Sequence, residues 1–274
     1  MRLGTARVGE TRFAAVQRDE LWYALDVPPG TPMRAVLAEG PDEMRRLSAS
    51  AARPLPGAVP DAPVQPGKIV AIGLNYLDHI REAGMDKPAR PLMFAKFPSS
   101  VIGPGEPIVI DGDLTERVDW EVELAAVIGT PLRRASPREA LAGVAGYTVA
   151  NDVSARDLQF ADGQWTRGKS LDTFCPLGPA IVTPDELDDP QSLRLWTTVN
   201  GETVQDSSTA EMLFGIAELL AHCSRAFTLD PGDVVLTGTP WGCGEFMDPR
   251  RSLRSGDTVE VGVEGIGTLA NPVA

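Results

Sequence analysis

The chain is poor in the residues that several common chemistries require. It has three cysteines, Cys175, Cys223 and Cys243, and no CxxC pair. An odd, scattered set argues against a disulfide framework and against a thiolate zinc site. It suits a reducing compartment, and a cytoplasmic location is the expectation. Histidine is scarcer still: His79 and His222 are the only two. With no G-x-S-x-G elbow either, a serine hydrolase triad has little support. No GxGxxG opens a helix after a strand, and the Gly168-Lys169-Ser170 tripeptide lacks the GxxxxGK frame of a phosphate-binding loop. No apolar run approaches the ~20 residues that a bilayer span needs. The opening stretch MRLGTARVGETRFAAV has no apolar leader core, so neither membrane insertion nor export is expected. Positive charge is also in deficit, with 25 Lys and Arg against 38 Asp and Glu, a net charge of -13. Such a chain repels a polyanionic backbone, so nucleic acid is not an expected partner.

What remains is ordinary globular composition, 43% hydrophobic and 23% charged, punctuated by 27 glycines and 24 prolines. The N-terminal pattern predicts two short strands about a turn at Arg18-Asp19-Glu20 and a short helix over 41–50. Residues 52–68 are too proline-rich for a helix and are expected to run extended, with a boundary near residue 65. Residues 1–65 thus form a small N-terminal region, and residues 66–274 the main domain. Further on, strands are expected at 68–76, 118–129, 147–153 and 178–183. Helices are expected at 76–85, at 136–147 with Ser136 as N-cap, and at 210–227, the clearest amphipathic stretch. Asn200-Gly201 reads as a hairpin turn between alternating strands. Many short strands with few helices predict an α+β, strand-rich sandwich, barrel or roll.

Within DWEVELAAVIG, Glu121 and Glu123 stand two apart, so on a strand they share a face. Two carboxylates on one buried face repel each other unless something positive lies between them. A hard divalent cation would do so, and Asp152, where TVAND opens onto a turn, offers a third oxygen ligand. That all-oxygen set suits Mg²⁺, Mn²⁺ or Ca²⁺ rather than zinc or copper. Spacing alone favours the plainer alternative, a solvated pair of glutamates and an aspartate that caps a turn. His79 and Glu82 are three apart and adjacent on a helix, as a carboxylate-oriented general base would be, or simply a surface contact. His222, inside the amphipathic helix, reads as a packed structural histidine. Lys169 can stabilise an oxyanion or stand on the surface. Gly238 and Thr239 can offer an N–H and a hydroxyl to a carboxylate, or form a plain glycine turn.

Taken in order, the segments IGLNYLDHIREAG, FAKFPSSVIGPGEPI, DWEVELAAVIG, GYTVANDVSARDLQ, GKSLDTFCPLGPAIV, VNGETVQDSST and LTGTPWGCG resemble the fumarylacetoacetate hydrolase family. They span roughly residues 68–265, and the short N-terminal region is similar to that of the small bacterial members. The resemblance implies a mixed β-sandwich roll, assembled as a homodimer. It implies a divalent metal, commonly Mg²⁺, on Glu121, Glu123 and Asp152. It makes His79 and Glu82 a dyad on a lid that orders over substrate. It sets Lys169 in the pocket with Arg156, Gln159 and Thr239 as substrate contacts. The implied activity is hydrolysis of a C–C bond in a small β-diketo acid of the acylpyruvate type, through a stabilised enolate. Decarboxylation of oxaloacetate or a proton shift in a 2-hydroxy-dienoate uses the same machinery. A non-catalytic keto-acid binder would not need the His79–Glu82 pair.

Overall fold

A computed structural model describes all 274 residues. The chain opens with three strands, β1 (Arg2–Val8), β2 (Thr11–Arg18) and β3 (Leu21–Ala24). Asp19 and Glu20 turn the second hairpin, both at positive φ, as a tight two-residue loop requires. Helices α1 (Met33–Ala38) and α2 (Pro41–Ser50) follow. Helix α2 begins where the residues predict it, with Pro41 in the first turn and Asp42 and Glu43 beside the helix N-terminus. The proline-rich stretch after it is extended, touching β3 through Arg53–Pro54 and β1 through Val59–Pro60.

Next come β4 (Ile69–Gly73), α3 (Leu77–Glu82), β5 (Leu92–Lys96), β6 (Val122–Ile128), α4 (Pro137–Ala142) and β7 (Val144–Asn151). They are followed by α5 (Arg156–Asp162), α6 (Thr166–Lys169), β8 (Cys175–Val182), β9 (Arg194–Val199) and β10 (Glu202–Ser208). Helix α7 (Ile216–Ala226) and strands β11 (Val234–Leu236), β12 (Thr258–Val263) and β13 (Gly267–Pro272) complete the chain. The large sheet runs β3-β2-β1-β8-β7-β6-β11-β4-β5, and the second sheet runs β10-β9-β12-β13. Along the path of the large sheet only the β11–β4 pairing is parallel, and off it Val101–Ile102 adds a short parallel pairing to β8. The fold is therefore α+β and strand-rich, as expected.

Strand β6 is central and buried along its whole length. Val122, Leu124, Ala126 and Ile128 face a core shared with β9, β12, β13 and α7. Ala125 and Val127 face the opposite way, into a core that includes Met33, Val36, Leu37, Met44 and Leu47 of α1 and α2. The N-terminal residues thus pack against the same strand as the rest, and β1 bonds β8 directly. A strand covered on both faces has no polar alternation, which explains the unbroken apolar run LAAVI.

Five features differ from the residue pattern. Beyond the expected pair, β1 adds a third N-terminal strand, and α1 was not foreseen. Helix α4 has the predicted Ser136 cap, completed by Glu139 into a capping box, but ends at Ala142 rather than 147. Residues 144–147 join β7 instead, because Gly146 permits an approach to β8 in which a Cβ would lie 2.5 Å from the Val182 carbonyl oxygen. Helix α7 starts at Ile216, not 210, since Thr209–Glu211 forms a separate 3-10 turn. Its buried Ile216, Leu219, Leu220 and Cys223 keep the i, i+3, i+4, i+7 spacing. The expected strand at 118–129 is split: Val118–Asp119 pairs with Ser154–Ala155, and the main ladder resumes at Val122.

Asn75 fastens the end of β4 to the segments beside it. Its Nδ2 donates to the carbonyls of Phe214 (3.1 Å) and Thr237 (2.8 Å), and its Oδ1 accepts the Phe214 N–H at 3.0 Å. Asn75→Ala leaves these buried backbone groups unpaired, so chemical denaturation should show a loss of roughly 2–5 kcal/mol. A loss below about 1 kcal/mol would mean that water replaces the amide.

Candidate metal centre and active site

The site begins where β6 and β7 part. Val122 opposes Asn151 as the last ladder pair. Beyond it the Asp152 N–H donates to the Glu121 carbonyl at 2.9 Å, and the Glu121 N–H donates to Asn151 Oδ1 at 3.0 Å. These bonds keep the backbone paired while the strands splay, and the carboxylates of Glu121, Glu123 and Asp152 converge. One oxygen from each lies within 4.8 Å of the others, and all three residues are buried. The solvated alternative is thereby removed.

Cations crowd the same volume. Lys169 Nζ lies 2.6 Å from Glu121 Oε2 and 2.8 Å from Asp152 Oδ2. Lys96 Nζ donates to Asp152 Oδ1 at 2.6 Å. Arg156 bridges Glu121 Oε1 and Asp119 Oδ2, each at 2.7 Å. Four buried carboxylates thus face three buried cations, a formal balance of -1. The shortfall falls on Glu123. It accepts the Gly238 N–H at 2.6 Å and pairs with no lysine or arginine. Burial, then Asp152 and Glu121, push its pKa well above the usual carboxylate range. Glu121 behaves oppositely: burial opposes its charge, but Lys169 and Arg156 outweigh that and lower its pKa to about 2. Burial also works against the Lys169 ammonium, yet Asp152 and Glu121 hold its pKa above the ordinary value. Hard oxygen donors with an uncompensated buried negative charge fit a divalent cation.

Helix α3 brings His79 to the edge of this cluster. His79 Nδ1 lies 3.0 Å from Glu82 Oε2, and Glu82 Oε1 accepts the Gly242 N–H at 2.8 Å. Phe246 packs against the imidazole with ring centroids 5.2 Å apart at 79°. The segment expected to act as a lid is packed in place here, with Asp78 accepting from the Ser207 hydroxyl and Arg81 paired to Glu211. Gly242 has φ +96, and a Cβ there would lie 2.1 Å from the Val204 carbonyl oxygen, so only glycine lets the loop meet Glu82.

His79, Glu121, Arg156, Gln159, Lys169 and Thr239 all line one small cavity of about 70 Å³. Its apolar walls come from Phe94, Phe160, Trp165 and Phe246. Gly238 is a correction: its N–H is spent on Glu123, so it supports a metal-ligand candidate and has no donor left for substrate. His222 is only half-buried on α7 and takes no part in this cavity. Three participants escaped the residue pattern. Lys96, which the residue pattern did not single out, reaches Asp152 from the end of β5. Asp119 orders the 242–246 loop through the N–H groups of Gly244 and Glu245. Gln205 bridges segments that only the fold brings together.

Comparison with known proteins finds relatives along most of the chain. The family model described as "Fumarylacetoacetate (FAA) hydrolase C-terminal" matches residues 68–274. An oxaloacetate tautomerase of Rattus norvegicus is 48% identical over 214 residues, covering 77% of this chain and 68% of its own. A 2,4-didehydro-3-deoxy-L-rhamnonate hydrolase of Sphingomonas sp. (strain SKA58) is 48% identical over 210 residues, covering 76% and 73%. Among solved structures, a fumarylacetoacetate hydrolase of Exiguobacterium antarcticum superposes with a TM-score of 0.90 at 38% identity, covering 100% of this chain and 99% of that one. A 5-carboxymethyl-2-hydroxymuconate delta-isomerase of Mycobacterium smegmatis gives 0.81 at 38% identity, covering 100% and 98%.

The unbalanced Glu123 has a measurable consequence in metal-free protein. Because folding raises its pKa, its contribution to stability declines as pH rises above the unfolded carboxylate value near 4.5. Glu123→Gln removes that charge while keeping an acceptor for Gly238. Its metal-free form should be more stable than wild type by roughly 1–3 kcal/mol at neutral pH, measured by chemical denaturation. The gap should shrink as pH falls towards 4.5. Added Mg²⁺ should stabilise wild type but not the variant.

Proposed function

The chain belongs to the fumarylacetoacetate hydrolase family, and from that premise we propose that it moves a proton on a small anionic 2-oxo acid through an enolate, as in the keto–enol tautomerisation of oxaloacetate. The observation that carries this is the shared cavity, where a histidine–carboxylate pair faces Lys169 and Arg156, both ion-paired to buried carboxylates, behind aromatic walls. Glu82 accepts a hydrogen bond from the His79 Nδ1–H, which leaves the Nε2 lone pair for the substrate. His79 removes a proton from the carbon next to the keto group, and its return to oxygen completes the tautomerisation. Lys169 has spent two N–H groups on Glu121 and Asp152, and its third serves the developing enolate oxygen. A divalent cation on Glu121, Glu123 and Asp152, proposed as Mg²⁺, would supply Lewis acidity and bring the local balance from -1 to +1, which favours an anionic substrate. Arg156, Gln159 and Thr239 would meet the substrate's carboxylate ends. Phe94, Phe160, Trp165 and Phe246 keep water from the carbanion, which suits a reaction that does not consume water.

The second reading is hydrolysis of a C–C bond in a β-diketo acid of the acylpyruvate type, and the similarity to the Sphingomonas hydrolase favours it. There His79 would deprotonate a water, and Lys169 would again receive the enolate. A homodimer remains part of the proposal.

One panel tests both readings: oxaloacetate, acetylpyruvate, fumarylpyruvate and a 2-hydroxy-dienoate, each with Mg²⁺ and followed by enol absorbance. Oxaloacetate tautomerisation should be fastest, and faster release of pyruvate from an acylpyruvate would select hydrolysis. His79→Ala should lower turnover by about 10²–10⁴ while keeping metal affinity. Activity that survives complete chelation would overturn the metal assignment.

A further inference from the structure

Gln205 lies on β10, outside the cavity lining, and is fully buried. Its amide is bonded on both sides. Oε1 accepts the Val122 N–H at 3.0 Å and the Thr197 hydroxyl at 2.7 Å. Nε2 donates to Thr239 Oγ1 at 3.0 Å and to the carbonyls of Pro240 (3.1 Å) and Trp241 (3.3 Å). The orientation of the amide is forced. A backbone N–H can only donate and a backbone carbonyl can only accept, so a flipped amide would oppose donor to donor and acceptor to acceptor.

This fixes the polarity of the neighbouring hydroxyl. Thr239 Oγ1 accepts from Gln205 and donates to no group of the protein, and Thr239 lines the cavity. Its proton therefore has one place to go. We propose that Gln205 is a positioning residue that locks the Thr239 hydroxyl as a donor aimed into the cavity, so that the site selects an acceptor-only group, a carboxylate, at that position. The same amide holds Val122, the residue between Glu121 and Glu123, so the donor and the metal-ligand strand keep a fixed separation. With the Gly238 N–H spent on Glu123 and the Thr237 hydroxyl on the Leu124 carbonyl, the Thr239 hydroxyl is the one that this loop leaves without an acceptor in the protein. The inference deepens the anionic-substrate reading above and rests on it for the nature of the ligand.

Oxalate, an acceptor-only dianion, is the probe, titrated by calorimetry in the presence of Mg²⁺ into wild type, Thr239→Ser, Thr239→Val, Gln205→Met and the double variant. Thr239→Ser should bind like wild type. Thr239→Val should weaken binding by about tenfold to a hundredfold, the range for a hydrogen bond to a charged group. Gln205→Met should weaken it by a similar factor, and by no more than about twofold further when Thr239 is already Val, because the effect runs through the hydroxyl. Losses that multiply in the double variant would overturn the proposal, as would undiminished binding by Thr239→Val or no binding by wild type. Should Gln205→Met fail to fold, a crystal structure of wild type with Mg²⁺ and oxalate decides. Thr239 Oγ1 should lie within hydrogen-bond reach of both Gln205 Nε2 and an oxalate oxygen. Loss of either contact overturns the proposal. If the binding pattern holds but no 2-oxo acid is turned over, the proposed reaction fails and the role of Gln205 stands.

Discussion

One buried negative charge without a partner organises the site. Glu123 sits on a strand packed from both faces, next to two more carboxylates, with a backbone N–H as its sole polar support. The fold spends three cations on the surrounding acids and stops one short. Repulsion among buried like charges is strong because little solvent screens it. The strand cannot relax to relieve that repulsion, since Ala125 and Val127 on the same face are locked among α1 and α2. The cluster is thus held ready for positive charge by the β6–β7 ladder.

The dyad depends on a second backbone feature. Glu82 can orient His79 only because its other oxygen is held by the Gly242 N–H, and that loop is itself tied down by Asp119. Asp119 also receives Arg156, which reaches Glu121. His79 and the charged cluster are therefore connected through a short chain of buried polar contacts. A shift in the 242–246 loop would be felt at both.

Much of this was legible from residues. The i, i+3 spacing of His79 and Glu82 predicted their contact, and the i, i+2 spacing of Glu121 and Glu123 predicted their shared face even though the ladder breaks between Asp119 and Val122. The Ser136 cap and the apolar spacing of α7 located two helices. What was hidden depends on tertiary packing. The end of α4 is set by how closely Gly146 must approach β8. The donor capacity of Gly238 looked free because nothing local shows that Glu123 will claim it. Lys96, Asp119 and Gln205 carry no local pattern at all. A lysine, an aspartate or a glutamine in a strand ordinarily points to water, and only the assembled sheet turns them inward.

The cavity divides its labour by segment. Its charged floor comes from Glu121 just before β6, Arg156 at the start of α5 and Lys169 at the end of α6, while its walls come from Met85 after α3, Phe160 on α5, Trp165 before α6 and Phe246 in the late loop. Met85 and Phe160 are also largely exposed, so little else constrains them. Drift in such wall residues can reshape what fits without disturbing the electrostatics beneath. A lineage built this way can exchange substrates by ordinary mutation at its rim while the charged floor beneath stays the same.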